Sequence, residues 1–215
     1  MDNKFWLERW QQGLTGFHQD DVNPYLEKWI EHAQLKKGAT IFVPLCGKTV
    51  DLLWLAGLGF KVIGLELSPL AVEQLIDEHN LKMAVRTMDQ FTLYSQSNLY
   101  ILCGDFFKLT AEQLGSVDFV YDRAALIALP ANMRLDYISH MRKLVPSEVS
   151  SLLITLDYTQ SEMSGPPFSV TESDVHEYYS KATLLEAVDV LADHQRFKER
   201  GVTQLFESVW YIGGV

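Results

Sequence analysis

Apolar and polar positions follow one another in blocks along the chain, and the period of each block predicts its secondary structure. Short apolar runs rich in β-branched and aromatic residues predict buried strands at 40–43, 61–65, 99–103, 117–121 and 151–156. Segments with apolar residues at helical spacing lie between them, at 48–58, after Ser68 and after Pro130. Because strands that alternate with helices form parallel sheets, the pattern predicts an α/β fold with helices on both faces of the sheet.

Two of these helices have sequence signals of their own. Ser68 is a favourable N-cap, and Pro69 fits the first helical position after it. In the helix that begins near Pro130, the spacing predicts that Leu135, Ile138 and Met141 face the core.

The two ends of the chain depart from this alternation. Residues 1–37 are amphipathic and helical in pattern. Near the other end, 182–188 and 204–210 are strand-like, and the polar loop between them is too short for a helical crossover, so the two strands should pair antiparallel. The whole chain, 1–215, is therefore predicted to be one domain. Its mostly parallel seven-stranded sheet would end in a C-terminal antiparallel hairpin.

Composition narrows the range of partners. With 47% hydrophobic and 21% charged residues, the 215-residue chain can bury a sizeable core. Its formal net charge of -10 argues against nucleic acid, which is bound through clustered Lys and Arg. No basic stripe suits an acidic membrane surface, and no apolar run approaches the ~20 residues of a membrane span. The first residues lack a signal-peptide pattern, so we expect a cytoplasmic protein.

Neither the cysteines nor the histidines suggest chemistry of their own. Cys46 and Cys103 form no C-x-x-C pair and are expected to be small buried residues. None of the six histidines has metal-ligand spacing, so no metal is expected.

Ligands of open α/β sheets bind at the carboxyl ends of the strands, which makes the residues after each predicted strand candidates. Gly47, in the loop after the first strand, would let the backbone approach a ligand, although an ordinary turn would look the same. The multi-glycine dinucleotide fingerprint is absent from this loop. Glu66, at the end of the second strand, can accept hydrogen bonds from both ribose hydroxyls of a nucleoside. A solvated acid at a strand end is the alternative.

The third and fourth strands are followed by further polar candidates. Asp105, after Gly104, could accept from an adenine amino group, but a plain turn explains this pair of residues equally well. Arg123 follows the fourth strand in an apolar setting and needs a partner. That partner is either a local carboxylate such as Asp122 or an anion or polar ring of a ligand. Trp10 lies in a predicted helix that could fold over this edge of the sheet.

Taken together, these segments resemble the thiopurine S-methyltransferases, nearly from end to end. The loop Pro-Leu-Cys-Gly-Lys at 44–48 is the most diagnostic, because most methyltransferases of this Rossmann-like fold carry several glycines there. The other matching segments are Trp10 with Gly-Phe-His-Gln at 16–19, Gly-Leu-Glu-Leu-Ser at 64–68, Asp-Arg-Ala-Ala-Leu at 122–126 and Gly-Pro-Pro-Phe at 165–168.

The resemblance implies S-adenosyl-L-methionine as the cofactor and a thiopurine or similar aromatic or heterocyclic thiol as the methyl acceptor. It implies a lid formed by residues 1–35, and we expect the enzyme to be a monomer. Arg123 is the catalytic candidate, because it would favour the thiolate form of the acceptor. Together with Gly47, the cofactor candidates are Trp10, Leu45, Glu66, Gly104, Asp105 and Arg123, and the acceptor candidates are Phe17, Arg123 and Arg196.

Other functions stay open at this point. Enzymes of the same fold methylate halides or simple thiols, or selenium and tellurium species. A non-catalytic nucleotide-binding module would keep Glu66 but would need no acceptor pocket. An oxidoreductase is disfavoured, since it would need the multi-glycine loop.

Overall fold

The predicted alternation of strands and helices is present in the structure, a computed structural model that describes residues 3–215. The chain divides into two units, one up to Tyr121 and one from Asp122 onward. The helices of the first unit are α1 (Asn3–Gln11), α2 (Pro24–Trp29), α3 (Asp51–Gly57), α4 (Pro69–Glu78) and α5 (Ala111–Leu114). Its strands are β1 (Thr40–Val43), β2 (Lys61–Glu66), β3 (Ala84–Met88), β4 (Phe91–Gln96), β5 (Leu99–Cys103) and β6 (Phe119–Arg123), of which β6 runs on into the second unit.

The strands of the first unit are ordered β3-β4-β5-β2-β1-β6. The four strands β5, β2, β1 and β6 are parallel, as predicted. Ile41, Phe42 and Val43 are each at most 2% exposed, which is the burial expected of a strand covered on both faces. The register pairs Val43 with Gly64 and Glu66 with Cys103, so the carboxyl ends of β1, β2 and β5 lie at one edge.

The hairpin of β3 and β4 was not predicted, and it raises the number of strands among residues 3–215 from seven to nine. It pairs antiparallel with β5. Four of the five residues of β3 are exposed, so this strand has no apolar pattern that would mark it in the sequence. Only β4 alternates, with Phe91 and Leu93 buried.

The second unit ends in the antiparallel strands that the sequence predicted. Strand β9 lies between β7 and β8 and pairs antiparallel with both. None of the helices in residues 3–215 is long and apolar enough to cross a membrane. The elements of this unit are α6 (Ala125–Ala128), α7 (Ala131–Leu144), β7 (Ser150–Asp157), α8 (Glu172–Tyr178), β8 (Ala182–Asp189), α9 (Gln195–Glu199) and β9 (Phe206–Ile212).

The prediction was wrong for one of the three expected core residues of α7. Ile138 and Met141 are buried as expected, but Leu135 is 61% exposed. The buried face includes Arg134 instead, one helical position away. Its guanidinium donates hydrogen bonds to the carbonyl oxygens of Leu129 (3.1 Å) and Ser169 (2.7 Å). A charged residue buried through such bonds cannot be recognised from hydrophobic periodicity.

Candidate active site

Three loops of the first unit come together at the carboxyl edge of β1, β2 and β5. The N–H of Cys46 donates to the carbonyl oxygen of Leu65 (2.9 Å), which ties the loop after β1 to the end of β2. The N–H of Gly104 donates to the carbonyl oxygen of Glu66 (2.8 Å) and ties the loop after β5 to the same strand. The cofactor candidates of these three loops are therefore neighbours.

The loop after β1 has a strained backbone. Leu45 and Gly47 have φ angles of 49° and 56°, on either side of Cys46. The left-handed conformation costs a leucine roughly 1–2 kcal/mol, and such strain is found where the surrounding structure fixes it, often at functional sites. Because the loop takes up these residues, α3 begins at Asp51 rather than at the predicted Lys48.

Glu66 fixes the shape of this loop. Its carboxylate is buried, and it accepts hydrogen bonds from the N–H groups of Gly47 (2.7 Å) and Ser68 (2.8 Å). Burial raises the pKa of Glu66, and the backbone hydrogen bonds of Ser68 and Gly47 oppose this effect. A carboxylate has about four lone-pair positions, so Glu66 retains acceptor capacity for a ligand.

Helix α1 lies against two of the three loops. The Trp10 side chain is 3% exposed, and its Cζ2 atom lies 3.3 Å from the point where a Cβ on Gly47 would stand. Residue 47 is thus restricted to glycine both by its φ angle and by this close approach. The ring of Phe17 packs edge-on against Trp10, with the centroids 5.6 Å apart. At the start of the helix, the Asn3 amide donates to the Asp105 carboxylate (3.0 Å).

The polar groups at this edge suit an adenosyl cofactor. Glu66 and Asp105 offer carboxylate acceptors at the ends of neighbouring strands, which suits ribose hydroxyls and an amino group. The Nε of Arg9, beside Trp10 in α1, is a buried donor that has no hydrogen-bond partner among residues 3–215. An acidic group of a ligand could supply that partner.

Arg123, the last residue of β6, keeps its guanidinium unpaired in the part of the chain that the structure describes. The side chain is half-buried, and no hydrogen bond or ion pair joins it to any of residues 3–215. Burial raises the pKa of Glu207, and the charge of Arg123 opposes this effect in part. The alternative of an ion pair with Asp122 is not realised.

The Gly-Pro-Pro-Phe segment at 165–168 is anchored to the helix that follows Arg123. The N–H of Phe168 donates to the carbonyl oxygen of Ile127 in α6 (2.7 Å). The Tyr158 hydroxyl donates to the carbonyl oxygen of Pro167 (2.6 Å). Cis peptide bonds precede both Pro166 and Pro167.

Arg196 lies on the exposed side of α9. Its neighbour Phe197 packs on a buried cluster that contains Tyr158, whose ring centroid is 6.2 Å away. Tyr158 therefore contacts both the Gly-Pro-Pro-Phe segment and the helix that carries Arg196. Sequence reasoning missed Tyr158, because its partner is a backbone carbonyl nine residues away and no local pattern signals such a bond.

Similarity to known proteins identifies the family. Residues 1–214 match the family described as Thiopurine S-methyltransferase. The chain belongs to this family. A relative named thiopurine S-methyltransferase from Bordetella petrii is 49% identical, and one from Nitrosospira multiformis is 43% identical. Both alignments extend over 215 residues, 99% of this chain and 98% of the relative.

Solved structures confirm the predicted Rossmann-like methyltransferase fold. One is the 1,6-didemethyltoxoflavin-N1-methyltransferase of Burkholderia thailandensis, with a TM-score of 0.62 at 13% identity over 98% of this chain and 86% of that one. Another is an S-adenosylmethionine-dependent methyltransferase of Anabaena variabilis, with a TM-score of 0.60 at 14% identity over 98% and 94% of the two chains. At such identities the likeness concerns the fold alone.

Proposed function

We propose that this protein transfers the methyl group of S-adenosyl-L-methionine to the sulfur of a thiopurine or a similar aromatic or heterocyclic thiol. The observation that carries the proposal is the unpaired, half-buried guanidinium of Arg123 at the end of β6. Membership of the thiopurine S-methyltransferase family supports the same reaction.

The first unit would hold the cofactor, which supplies a methyl group already activated by its sulfonium. Glu66 would accept from the ribose hydroxyls while it keeps the loop after β1 in place. Asp105 would accept from the adenine amino group. The strained loop with Leu45 and Gly47, together with Gly104 and the Trp10 ring, would shape the space around it.

Arg123 would act by electrostatics. A thiopurine is acidic enough to be largely anionic near neutral pH, so a fixed guanidinium can favour the thiolate without a dedicated general base. Partial burial strengthens that attraction, because the effective dielectric constant is lower than in water. Phe17 would offer an aromatic face to the acceptor, and Arg196 a second positive charge.

The test is the replacement of Arg123. We expect Arg123→Ala to lower kcat/KM by about 10²–10³-fold, the range for one preorganised electrostatic contact. Arg123→Lys should recover part of the rate, since it restores the charge but not the planar fork. The defect should shrink for thiols that are fully ionised in water, because they need less help to lose the proton. The measurement is labelled methyl transfer to thiols of graded acidity.

Arg86→Ala is the matched control, because it removes an exposed arginine from the outer strand β3. It should leave kcat/KM unchanged. An Arg123→Ala variant with a lower Tm and the same rate loss for every acceptor would contradict the catalytic assignment. Transfer to iodide or tellurite but to no thiol would contradict the proposed acceptor class.

We also propose that the enzyme works as a cytoplasmic monomer. The two cysteines are free and buried, which suits a reducing compartment.

A further inference from the structure

We propose that Asp122 is a positioning residue for Arg123. Its buried carboxylate holds the turn on which Arg123 lies, and Tyr137 of α7 holds that carboxylate in place. The proposal rests on the function proposed above for Arg123, and it adds a second residue whose role can be tested separately.

The carboxylate of Asp122 joins two elements of the second unit. It is 4% exposed, and it accepts a hydrogen bond from the N–H of Leu126 (3.3 Å) at the start of α6. The hydroxyl of Tyr137, a fully buried residue of α7, donates to its other oxygen at 2.6 Å. Asp122 thus links the end of β6 to α6 and α7, while the adjoining Arg123 stays unpaired.

The turn between Arg123 and α6 needs such a restraint. Ala124 has a φ angle of 67°, in the left-handed region. This conformation costs an alanine roughly 1–2 kcal/mol, so it persists only where other contacts fix it. Without the hydrogen bonds that the Asp122 carboxylate accepts, Ala124 could relax to a right-handed or extended conformation. The peptide that follows Arg123 would then rotate, and the guanidinium would move with it.

The surroundings of Asp122 make the restraint sensitive to pH. The titratable groups that act on it are Tyr137 of α7 and Tyr179, just after α8, and no cation pairs with its carboxylate among residues 3–215. Burial raises the pKa of Asp122 to about 6, although Tyr137 and the backbone N–H groups of Leu126 and Ala125 lower it in part. The group is ionised at neutral pH, and mild acid would protonate it and weaken the bonds it accepts.

The main experiment measures kcat/KM with an acceptor thiol that is fully ionised from pH 5 to pH 8, so that the acceptor itself contributes no titration. For the wild type we expect a fall in kcat/KM below about pH 6, since this parameter reports groups of the free enzyme. Asp122→Asn should be about 10- to 100-fold slower at pH 7.5 and should lack the fall near pH 6. Groups that act as one unit are not additive, so adding Asp122→Asn to the Arg123→Ala enzyme should slow that enzyme further by less than about threefold.

Tyr137→Phe keeps the carboxylate but removes its anchor, and it provides the second variant if Asp122→Asn fails to fold. We expect kcat/KM to fall about 5- to 20-fold in the wild-type background, and by less than about threefold when Tyr137→Phe is added to the Arg123→Ala enzyme. Tyr121→Phe is the matched control. It also removes a buried hydroxyl bound to a carboxylate, that of Asp51 (3.0 Å), from the neighbouring position of β6. It should lower Tm to a similar extent and leave the pH profile unchanged.

The outcomes separate this inference from the proposed function. Losses that multiply when Tyr137→Phe or Asp122→Asn is combined with Arg123→Ala would overturn the positioning role. So would a folded Asp122→Asn enzyme that keeps the wild-type rate and pH profile. In both cases a large effect of Arg123→Ala alone would leave the proposed function intact. An Arg123→Ala enzyme of wild-type activity would overturn both.

Discussion

Two buried carboxylates fix the backbone around the candidate residues, one in each unit. Glu66 accepts from Gly47 and Ser68, and Asp122 accepts from Leu126 and Tyr137. Neither has a cationic partner in the part of the chain that the structure describes. Hydrogen bonds, mostly from backbone N–H groups, offset the free-energy cost of burying each charge. Each carboxylate therefore fixes the course of the backbone around it.

The role of Glu66 can be measured through cofactor binding. Glu66→Ala removes both the acceptor for the ribose and the anchor of Gly47, so S-adenosylmethionine should bind about 2–3 kcal/mol more weakly. Isothermal titration calorimetry gives this difference directly. Glu73→Ala, which removes an exposed acid from α4, should bind normally. Unchanged affinity in a folded Glu66→Ala protein would remove this residue from the cofactor site.

The ionisation of Asp122 should also make the free energy of unfolding depend on pH. Because its pKa of about 6 in the folded protein lies above the ordinary 3.8, its contribution to stability is complete below pH 3.8 and is lost as the pH rises through 6. The total is about 3 kcal/mol, of which about 2 kcal/mol should be lost between pH 4 and pH 7. The free energy of unfolding of the wild type and of Asp122→Asn can be measured by urea unfolding at each pH. The difference between the two proteins should change by about 2 kcal/mol between pH 4 and pH 7. Parallel curves for the two proteins would refute the raised pKa.

Among the elements, α1 is the one whose position bears most directly on binding. It contacts the loop after β1 through Trp10 and the loop after β5 through Asn3. The segment that follows is exposed, with Leu14 52% accessible and Gly13 in the left-handed region. The predicted lid, residues 1–35, thus combines a contacting helix with an exposed connection. Its first two residues lie outside the described part of the chain.

We expect this segment to be cut more slowly when the cofactor site is filled. Saturating S-adenosylhomocysteine should slow chymotryptic cleavage after Leu14 about tenfold, because bound ligand would favour the closed position of α1. Mass spectrometry of the fragments follows the rate. Trp10→Ala should lose this protection, whereas Trp29→Ala, which removes an aromatic ring from α2 in the same segment, should keep it. Equal cleavage with and without ligand would refute the lid.

The strands also show which elements can be predicted from sequence patterns and which cannot. The buried strands β1, β2 and β5 are continuous apolar runs, so the sequence located them and the loops after them. Strand β3 has exposed residues on both faces, and no period distinguishes it from a loop. The same limit applies within the site. Arg123 is conspicuous because it is charged in an apolar setting, whereas the bond between Asp122 and Tyr137 joins positions 15 residues apart and depends on how α7 packs.

On the scale of the whole molecule, the prediction that 1–215 form one domain stays a prediction. The structure divides the chain into two units. All cofactor candidates except Arg123 lie in the first unit, and Arg123 and Arg196 lie in the second. Strand β6 runs through the division, with Tyr121 in the first unit and Asp122 in the second. A continuous strand of this kind favours joint unfolding of the two units.

Calorimetry tests both the prediction of a single domain and the proposed monomeric state. A single domain of this size should unfold in one transition with an enthalpy of about 150 kcal/mol near 60 °C, equal to its van't Hoff value. Units that unfold separately would give two transitions with van't Hoff enthalpies of about 85 and 65 kcal/mol. For a monomer, Tm should not change over a hundredfold range of protein concentration. A rise in Tm with concentration would indicate an oligomer.

An enzyme that alkylates sulfur must also spare its own sulfur atoms. Cys46 and Cys103 are free, and both lie beside Glu66 at the edge where the methyl donor would bind. Burial and then the charge of Glu66 raise the pKa of Cys46 well above its usual value and that of Cys103 to about 12. At pH 7 only about one Cys103 side chain in 10⁵ would be a thiolate, the form that attacks a methyl donor. The carboxylate proposed to hold the ribose would therefore also protect the enzyme against self-methylation.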